Sequence, residues 1–139
     1  MDEPAPPKNI LRRTIGVALC SLPLWLAVAC AVWRRPVPGP IVRVAMVLVV
    51  LSGLVGCLNM HLLFVKPWLY RRRHGGSLEG FRFVSGLPVV GTLLQAGACF
   101  MAFGSVPVGV CALLTALIDT CGVPWIPVLT WKDSSFWDA

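Results

Sequence analysis

Charged residues are scarce in this chain. Of its 139 residues, 13% are Asp, Glu, Lys or Arg, whereas 57% belong to the hydrophobic set. A soluble domain typically carries about 25% charged residues. The charges also form clumps, with long uncharged stretches between them. This composition argues against a soluble domain and predicts an integral membrane protein.

Patterns typical of catalytic and metal sites are also lacking. The sequence has no acid pair at catalytic spacing, no His/Glu metal-binding set, no phosphate-binding glycine loop followed by Lys, and no nucleophile elbow. None of the six cysteines belongs to a Cys-x-x-Cys pair, and all lie in apolar segments, as small apolar side chains do. We therefore predict that the protein is not an enzyme and has no cofactor or metal ion.

Four nearly uncharged stretches are each long enough to cross about 30 Å of hydrocarbon as a helix. The predicted helices cover about 14–33, 44–65, 83–103 and 106–129. Continuous apolar runs favour helices over barrel strands, which would alternate. The sequence thus predicts an all-α fold in which residues 1–139 form one membrane domain, a bundle of four transmembrane helices.

Lys and Arg are distributed unevenly between the loops. Nine of the twelve lie in the two terminal tails and in the basic loop 66–82, and three lie in the first loop: Arg34, Arg35 and Arg43. Cytoplasmic loops retain positive charge during insertion, so both termini and loop 66–82 are predicted to be cytoplasmic. Topology and contact with anionic lipid headgroups account for the net charge of +6 without nucleic-acid binding.

The first apolar stretch also has features of a signal peptide. It has a basic front, an apolar middle and the small residues AVACA around Cys30. Its apolar run is longer than that of most signal peptides, and Arg34 and Arg35 follow at once. We therefore favour an uncleaved membrane anchor; cleavage would leave three helices.

Polar residues inside apolar stretches are costly to bury and are the best candidates for a functional site. In the predicted topology most of them share one level near the cytoplasmic face: Asn59, His61, Arg82, Ser85, Gly86 and Asp119. Asn59 and His61 are two residues apart and therefore face different ways on one helix. We interpret them as residues that form hydrogen bonds between helices.

Asp119 interrupts the last apolar stretch. If Gly122 and Pro124 end this helix early, Asp119 lies about one turn from the boundary, where an acid costs less than the ~3 kcal/mol of the bilayer centre. Two partners are predicted: Arg82, and the amino-terminal amides of the third helix. We interpret Asp119 as a staple between the third and fourth helices. The alternative is a proton or ion relay with His61.

Small residues four positions apart predict where helices contact each other, because they let backbones approach closely in lipid. Three such pairs occur, one in each of the last three helices: Ser52 with Gly56, Ala98 with Ala102, and Ala112 with Ala116.

The carboxy-terminal half resembles a group of small bacterial inner-membrane proteins. These carry an S-G-[IL]-P-[LV]-[IV]-G opening on one helix and a D-x-G-x-P-like ending on the next. The matching residues are Ser85, Gly86, Leu87, Pro88, Val89, Val90 and Gly91, followed by Asp119, Gly122 and Pro124. The ending here, Asp-Thr-Cys-Gly-Val-Pro, is one residue longer.

Proteins of that group are often encoded beside polymorphic or contact-dependent toxins, as their presumed immunity proteins. The resemblance implies a multi-pass protein of the bacterial inner membrane that binds and neutralises a membrane-acting toxin. The alternative is a small oligomeric transporter or channel subunit that uses Asp119 and His61. The sequence leaves the oligomeric state and the identity of the partner open.

Overall fold

The computed structural model describes residues 10–77, 79–82, 86–120, 122–131 and Trp137, and these residues form helices and turns without any strand. The helices are α1 (Ile10–Val32), α2 (Gly39–Met60), α3 (Lys66–Arg73), α4 (Pro88–Met101), α5 (Val106–Ile118) and α6 (Ile126–Thr130). A π-helical turn, His61–Val65, joins α2 to α3, and a 3₁₀ turn, Val123–Trp125, precedes α6. The predicted all-α class is confirmed for the described part of the chain.

Prolines explain where several helices begin and why one of them contains a π-helical turn. Pro40 and Pro107 lie in the first turns of α2 and α5, where an amide would have no helical partner. Pro67 lies inside the continuous helix Gly39–Arg73. Its ring would collide with the carbonyl of Leu63, and the π-helical turn just before it relieves this collision. The predicted loop 66–82 therefore begins as helix.

Two helices are long and apolar enough to cross a membrane: Ile10–Val32 and Gly39–Arg73. A third crossing results if Val106–Ile118 and Val123–Thr130, which are inclined at 53° to each other, form one bent span. The interruption falls inside the predicted helix 106–129, where Asp119 leaves the helical conformation. α4 is shorter than the predicted 83–103, of which residues 83–85 lie outside the described part.

The distribution of side-chain sizes is the reverse of that in a soluble protein. The buried core consists mainly of small side chains: Ala27, Cys30, Ala45, Val49, Ala98, Cys99, Ala102, Val108 and Ala112. Large Leu, Val, Ile, Phe and Trp side chains face outward along the helices. Lipid solvates large apolar groups as well as a protein core does, so close backbone approach decides helix packing. This arrangement is consistent with a membrane protein.

Helices α1 and α2 each pack against both α4 and α5. The three pairs of small residues predicted to mark the contact faces are confirmed, since every member is buried. In the bundle core α1 and α5 approach each other closely, and Gly109 lies against the backbone of Ala31. Glycine is required there because any side chain would meet Ala31 directly.

The helix ends and the loops meet at two ends of the bundle. At one end the amide of Arg35, after α1, donates to the carbonyl of Gly104, between α4 and α5, at 3.2 Å. At the other end Arg13 near the start of α1 donates from Nη1 to the carbonyl of Trp131, just after α6, at 3.2 Å. Asn59 at the end of α2 also lies at this second end, where it contacts Asp119.

Replacing Gly109 with alanine is expected to destabilise the protein, because the new methyl group would collide with Ala31. A Cβ at residue 109 would lie 2.7 Å from Ala31 Cα and 2.8 Å from Ala31 Cβ. Overpacking of this kind costs about 1–3 kcal/mol. The measurement is the free energy of unfolding of the purified protein in mild detergent, titrated with SDS.

The matched control is Gly97→Ala in α4, where nothing lies within 4 Å of the added Cβ. Alanine raises helix propensity there by up to about 1 kcal/mol, so stability should hold or increase. A Gly109→Ala protein as stable as the unaltered chain would contradict the close packing of α1 on α5.

Candidate functional site

Asp119 stands where α5 ends, and its side chain is 3% exposed. Its amide still donates to the Thr115 carbonyl at 2.9 Å, but its ψ of 73° takes the chain out of the helix. The amide of Gly122 then donates to the Asp119 carbonyl at 2.8 Å and closes a turn. The sequence therefore places a carboxylate at a helix end, where it lies between α2 and the start of α4.

Asn59, which is fully buried, is the hydrogen-bonding partner of Asp119. Its Nδ2 donates to Asp119 Oδ1 at 2.9 Å and to the Leu87 carbonyl at 3.3 Å. Its Oδ1 accepts from the Leu87 amide at 2.8 Å. One amide side chain thus joins the end of α2, the residue before α4 and the end of α5. Because both N–H groups are used, the side chain is held in one orientation.

Glycines allow these three segments to meet. A Cβ at Gly86 would lie 2.5 Å from Asn59 Oδ1, and a Cβ at Gly91 would lie 2.5 Å from Asp119 Oδ2. On α2, a Cβ at Gly56 would lie 3.0 Å from the Cβ of Asp119. The glycines of the two quoted motifs therefore have a packing role, since a larger residue would push the carboxylate away from its partner.

Further hydrogen bonds surround this junction. Ser52 Oγ donates to the Gly91 carbonyl at 2.8 Å, which ties α2 to α4. Thr92 Oγ1 accepts from the Val123 amide at 3.1 Å, which ties α4 to the 3₁₀ turn. We call the set Ser52, Asn59, Gly86, Gly91, Thr92, Asp119 and Gly122 the Asp119 cluster. It connects α2, the start of α4, the end of α5 and the 3₁₀ turn.

The second carboxylate oxygen, Oδ2, is buried and forms no hydrogen bond within the described part of the chain. It lies against Gly91, the fourth residue of α4. The start of a helix carries a partial positive charge, which favours a nearby anion. Asp119 therefore lies near the beginning of this helix, but the predicted hydrogen bonds from the helix amides to its carboxylate are not formed.

The other predicted partner, Arg82, is exposed and forms no ion pair with Asp119. The structural reason is that Asp119 is enclosed by α2 and α4, so that a neutral amide reaches it and the guanidinium stays outside. His61 is also exposed, on the π-helical turn, and is not part of the cluster, so the hydrogen bond to another helix predicted for it is not formed with any described residue. Asn59 and His61 face different ways, as predicted.

The remaining predicted residues fall in three places. Ser85 lies outside the described residues, and Pro88 is the first residue of α4. Pro124 is half-buried in the 3₁₀ turn after Gly122. The sequence located Asn59 and Asp119 at one level of the membrane but did not pair them. The sequence signal that could have paired them is Asn59 itself, a polar residue on the buried side of α2.

No group of three or more His, Cys, Asp or Glu side chains that could hold a metal ion occurs among the described residues. In comparisons with known proteins, no protein-family profile matches the chain, and neither a curated protein nor a solved structure shows significant similarity to it.

Replacing Asn59 with alanine is expected to lower the free energy of unfolding by about 2–4 kcal/mol. The carboxylate of Asp119 would lose its partner in a buried environment, and both backbone groups of Leu87 would lose theirs in a partly buried one. In a double-mutant cycle with Asp119→Ala, the coupling energy should reach about 0.5–3 kcal/mol. SDS titration in detergent measures all four proteins.

His61→Ala serves as the control, because His61 is exposed and forms no hydrogen bond to the cluster. Its effect should stay within about 0.5 kcal/mol. If the Asn59 and Asp119 substitutions are simply additive, the hydrogen bond between them does not hold the helices together.

Proposed function

We propose that this chain is a multi-pass protein of the bacterial inner membrane that neutralises a membrane-acting toxin by binding it directly. The observation that carries the proposal is the hydrogen bonding of Asn59 to Asp119 and to Leu87. These hydrogen bonds join the two motifs that resemble those of immunity-type proteins, and together they form one rigid junction between helices. A rigid junction suits a protein that offers a preformed surface to a partner and performs no chemistry of its own.

The polar residues favour binding over transport. A relay through Asp119 and His61 needs both side chains on one path. Here Asp119 is buried and bonded to Asn59, whereas His61 faces outward from the π-helical turn. The arrangement therefore supports Asp119 as a staple, although its hydrogen bond joins α5 to α2 and not, as predicted, the third helix to the fourth.

The proposal includes four membrane crossings with both termini in the cytoplasm. Its support is that the loop after α1 and the loop between α4 and α5 lie at one end of the bundle, while Arg13 and Trp131 meet at the other. Most Lys and Arg residues belong to the second end, as expected for a cytoplasmic face. Helix α4 begins near Asn59 at the second end and finishes near Gly104 at the first, so it must run through the bundle.

Alkaline phosphatase fusions measure this topology. Fusions after Pro38 and after Ser105 should be active, because both points lie at the end predicted to be periplasmic. A fusion after Gly76 should be inactive, and a fluorescent protein at the carboxy terminus should fluoresce. An inactive fusion after Ser105 would contradict the crossing by α4.

The function is measured by expressing the adjacent gene in cells with and without this protein, while a dye reports the membrane potential. The expected result is depolarisation and growth arrest without the protein, and rescue with it. Asn59→Ala should reduce rescue, because the rigid junction is lost, whereas His61→Ala should rescue like the unaltered protein. Both variants are compared at equal amounts in the membrane.

Asp119→Asn separates the two classes of function. Asparagine retains an oxygen that can accept the hydrogen bond of Asn59, so binding and rescue should survive at a reduced level. A transporter that depends on the Asp119 charge would lose its flux while its assembly stays intact. A harmless neighbouring gene, together with ion flux that disappears in Asp119→Asn, would overturn the toxin-binding proposal.

A further inference from the structure

A cavity of about 250 Å³ lies beside α3, away from the Asp119 cluster. It lies between this helix and the segment that follows it. Its walls are formed by two cationic side chains, one imidazole and three apolar or aromatic groups: Lys66, Arg73, His74, Leu69, Tyr70 and Phe81.

Tyr70 holds the cavity together. Its Oη donates to the carbonyl of Glu79 at 2.9 Å, and the ring of Phe81 packs on it with centroids 5.0 Å apart. The His74 ring stacks on the Tyr70 ring with centroids 4.0 Å apart and an interplanar angle of 15°. These contacts fix the segment 79–82 against α3. The basic side chains therefore border a formed cavity with a defined wall.

Lys66 and Arg73 provide the charge of the cavity. They are seven residues apart, so they lie on the same face of α3, two turns or about 10 Å from each other. Neither forms an ion pair with any described residue. The one acidic residue in the adjoining segment, Glu79, contributes its backbone carbonyl to Tyr70 and does not line the cavity. The cavity is therefore suited to an anion.

The position of the cavity along the helix indicates where this anion comes from. Gly39–Arg73 is a single helix of 35 residues. About 20 residues cross the hydrocarbon, so Lys66 and the residues after it emerge into the headgroup layer. Phe64 and Trp68 are 58% and 56% exposed, as aromatic residues at a membrane interface are. At this level of the membrane, the phosphate group that reaches the cavity is that of a lipid headgroup.

We propose that this cavity binds the phosphate headgroup of an anionic phospholipid. Arg73 can hold two phosphate oxygens with its guanidinium, and Lys66 supplies a second positive charge two turns away. Leu69 provides an apolar contact for the acyl chains, and the wall of Tyr70 and His74 limits the room beside the phosphate. The site is independent of toxin binding and requires only that α2 crosses the membrane.

The test uses the purified full-length protein in an uncharged detergent, titrated with phosphatidylglycerol, and counts bound lipid by native mass spectrometry. Lys66→Gln/Arg73→Gln should weaken binding at least about tenfold, since each cation near an anionic lipid contributes about fivefold. Tyr70→Phe keeps every charge but releases the Glu79 segment, and it should weaken binding several-fold. These positions lie at the surface, and the unfolding midpoint of each variant is compared with that of the unaltered protein.

The matched control is Arg71→Gln/Arg72→Gln, which removes the same charge from α3 but from residues that do not line the cavity. Its binding should fall clearly less than that of Lys66→Gln/Arg73→Gln, because neither guanidinium borders the cavity. An equal loss in this control, or full binding by Tyr70→Phe, would show a diffuse surface charge and overturn the proposal.

Two further probes identify the anion. Phosphatidylcholine with the same acyl chains should bind much more weakly than phosphatidylglycerol, and equal binding would contradict the requirement for net negative charge. Millimolar inorganic phosphate should leave bound phosphatidylglycerol in place. Its complete displacement would make this a site for free phosphate and would overturn the assignment to lipid.

Discussion

The amide side chain of Asn59 is the contact on which the second end of the bundle depends. Helices in lipid gain little from burying apolar surface against each other, so small residues and interhelical hydrogen bonds decide their packing. The core of this bundle is mostly Ala, Cys and Gly, which bring backbones close but do not determine which residues meet. Asn59 supplies that specificity, because its three hydrogen bonds have partners on two other segments.

The sequence predicted the class of fold and the level of the site, but not the pairs within the site. Charge clumps and apolar runs follow directly from the bilayer as solvent, so α1, α2 and the polar level near Asp119 could be read from composition alone. Whether Asp119 meets Arg82 or Asn59 depends on the rotation of α2 about its axis. That rotation is determined by Gly56 and Ser52 packing against other helices; the spacing of this pair indicates the contact face of α2 but not which residues that face meets.

The basic segment after α2 shows a second limit of prediction. Lys66-Pro67 indicates a helix end, because proline lacks the amide that continues a helix and its ring collides with the preceding turn. The helix avoids this by widening over His61–Val65, where the Lys66 amide donates to the His61 carbonyl. A π-helical turn depends on local geometry that residue spacing does not reveal. As a consequence, Lys66 and Arg73 belong to one rigid face of a helix.

These two features are mechanically connected. Asn59 precedes the π-helical turn by two residues, and the helix continues through it from Gly39 to Arg73. The hydrogen bonds that fix the rotation of α2 at Asn59 therefore also fix the direction in which Lys66 and Arg73 point. Because His61 lies on this turn and is exposed, it can contact lipid or a partner without disturbing the buried carboxylate. The buried junction thus orients the charged surface without sharing any residue with it.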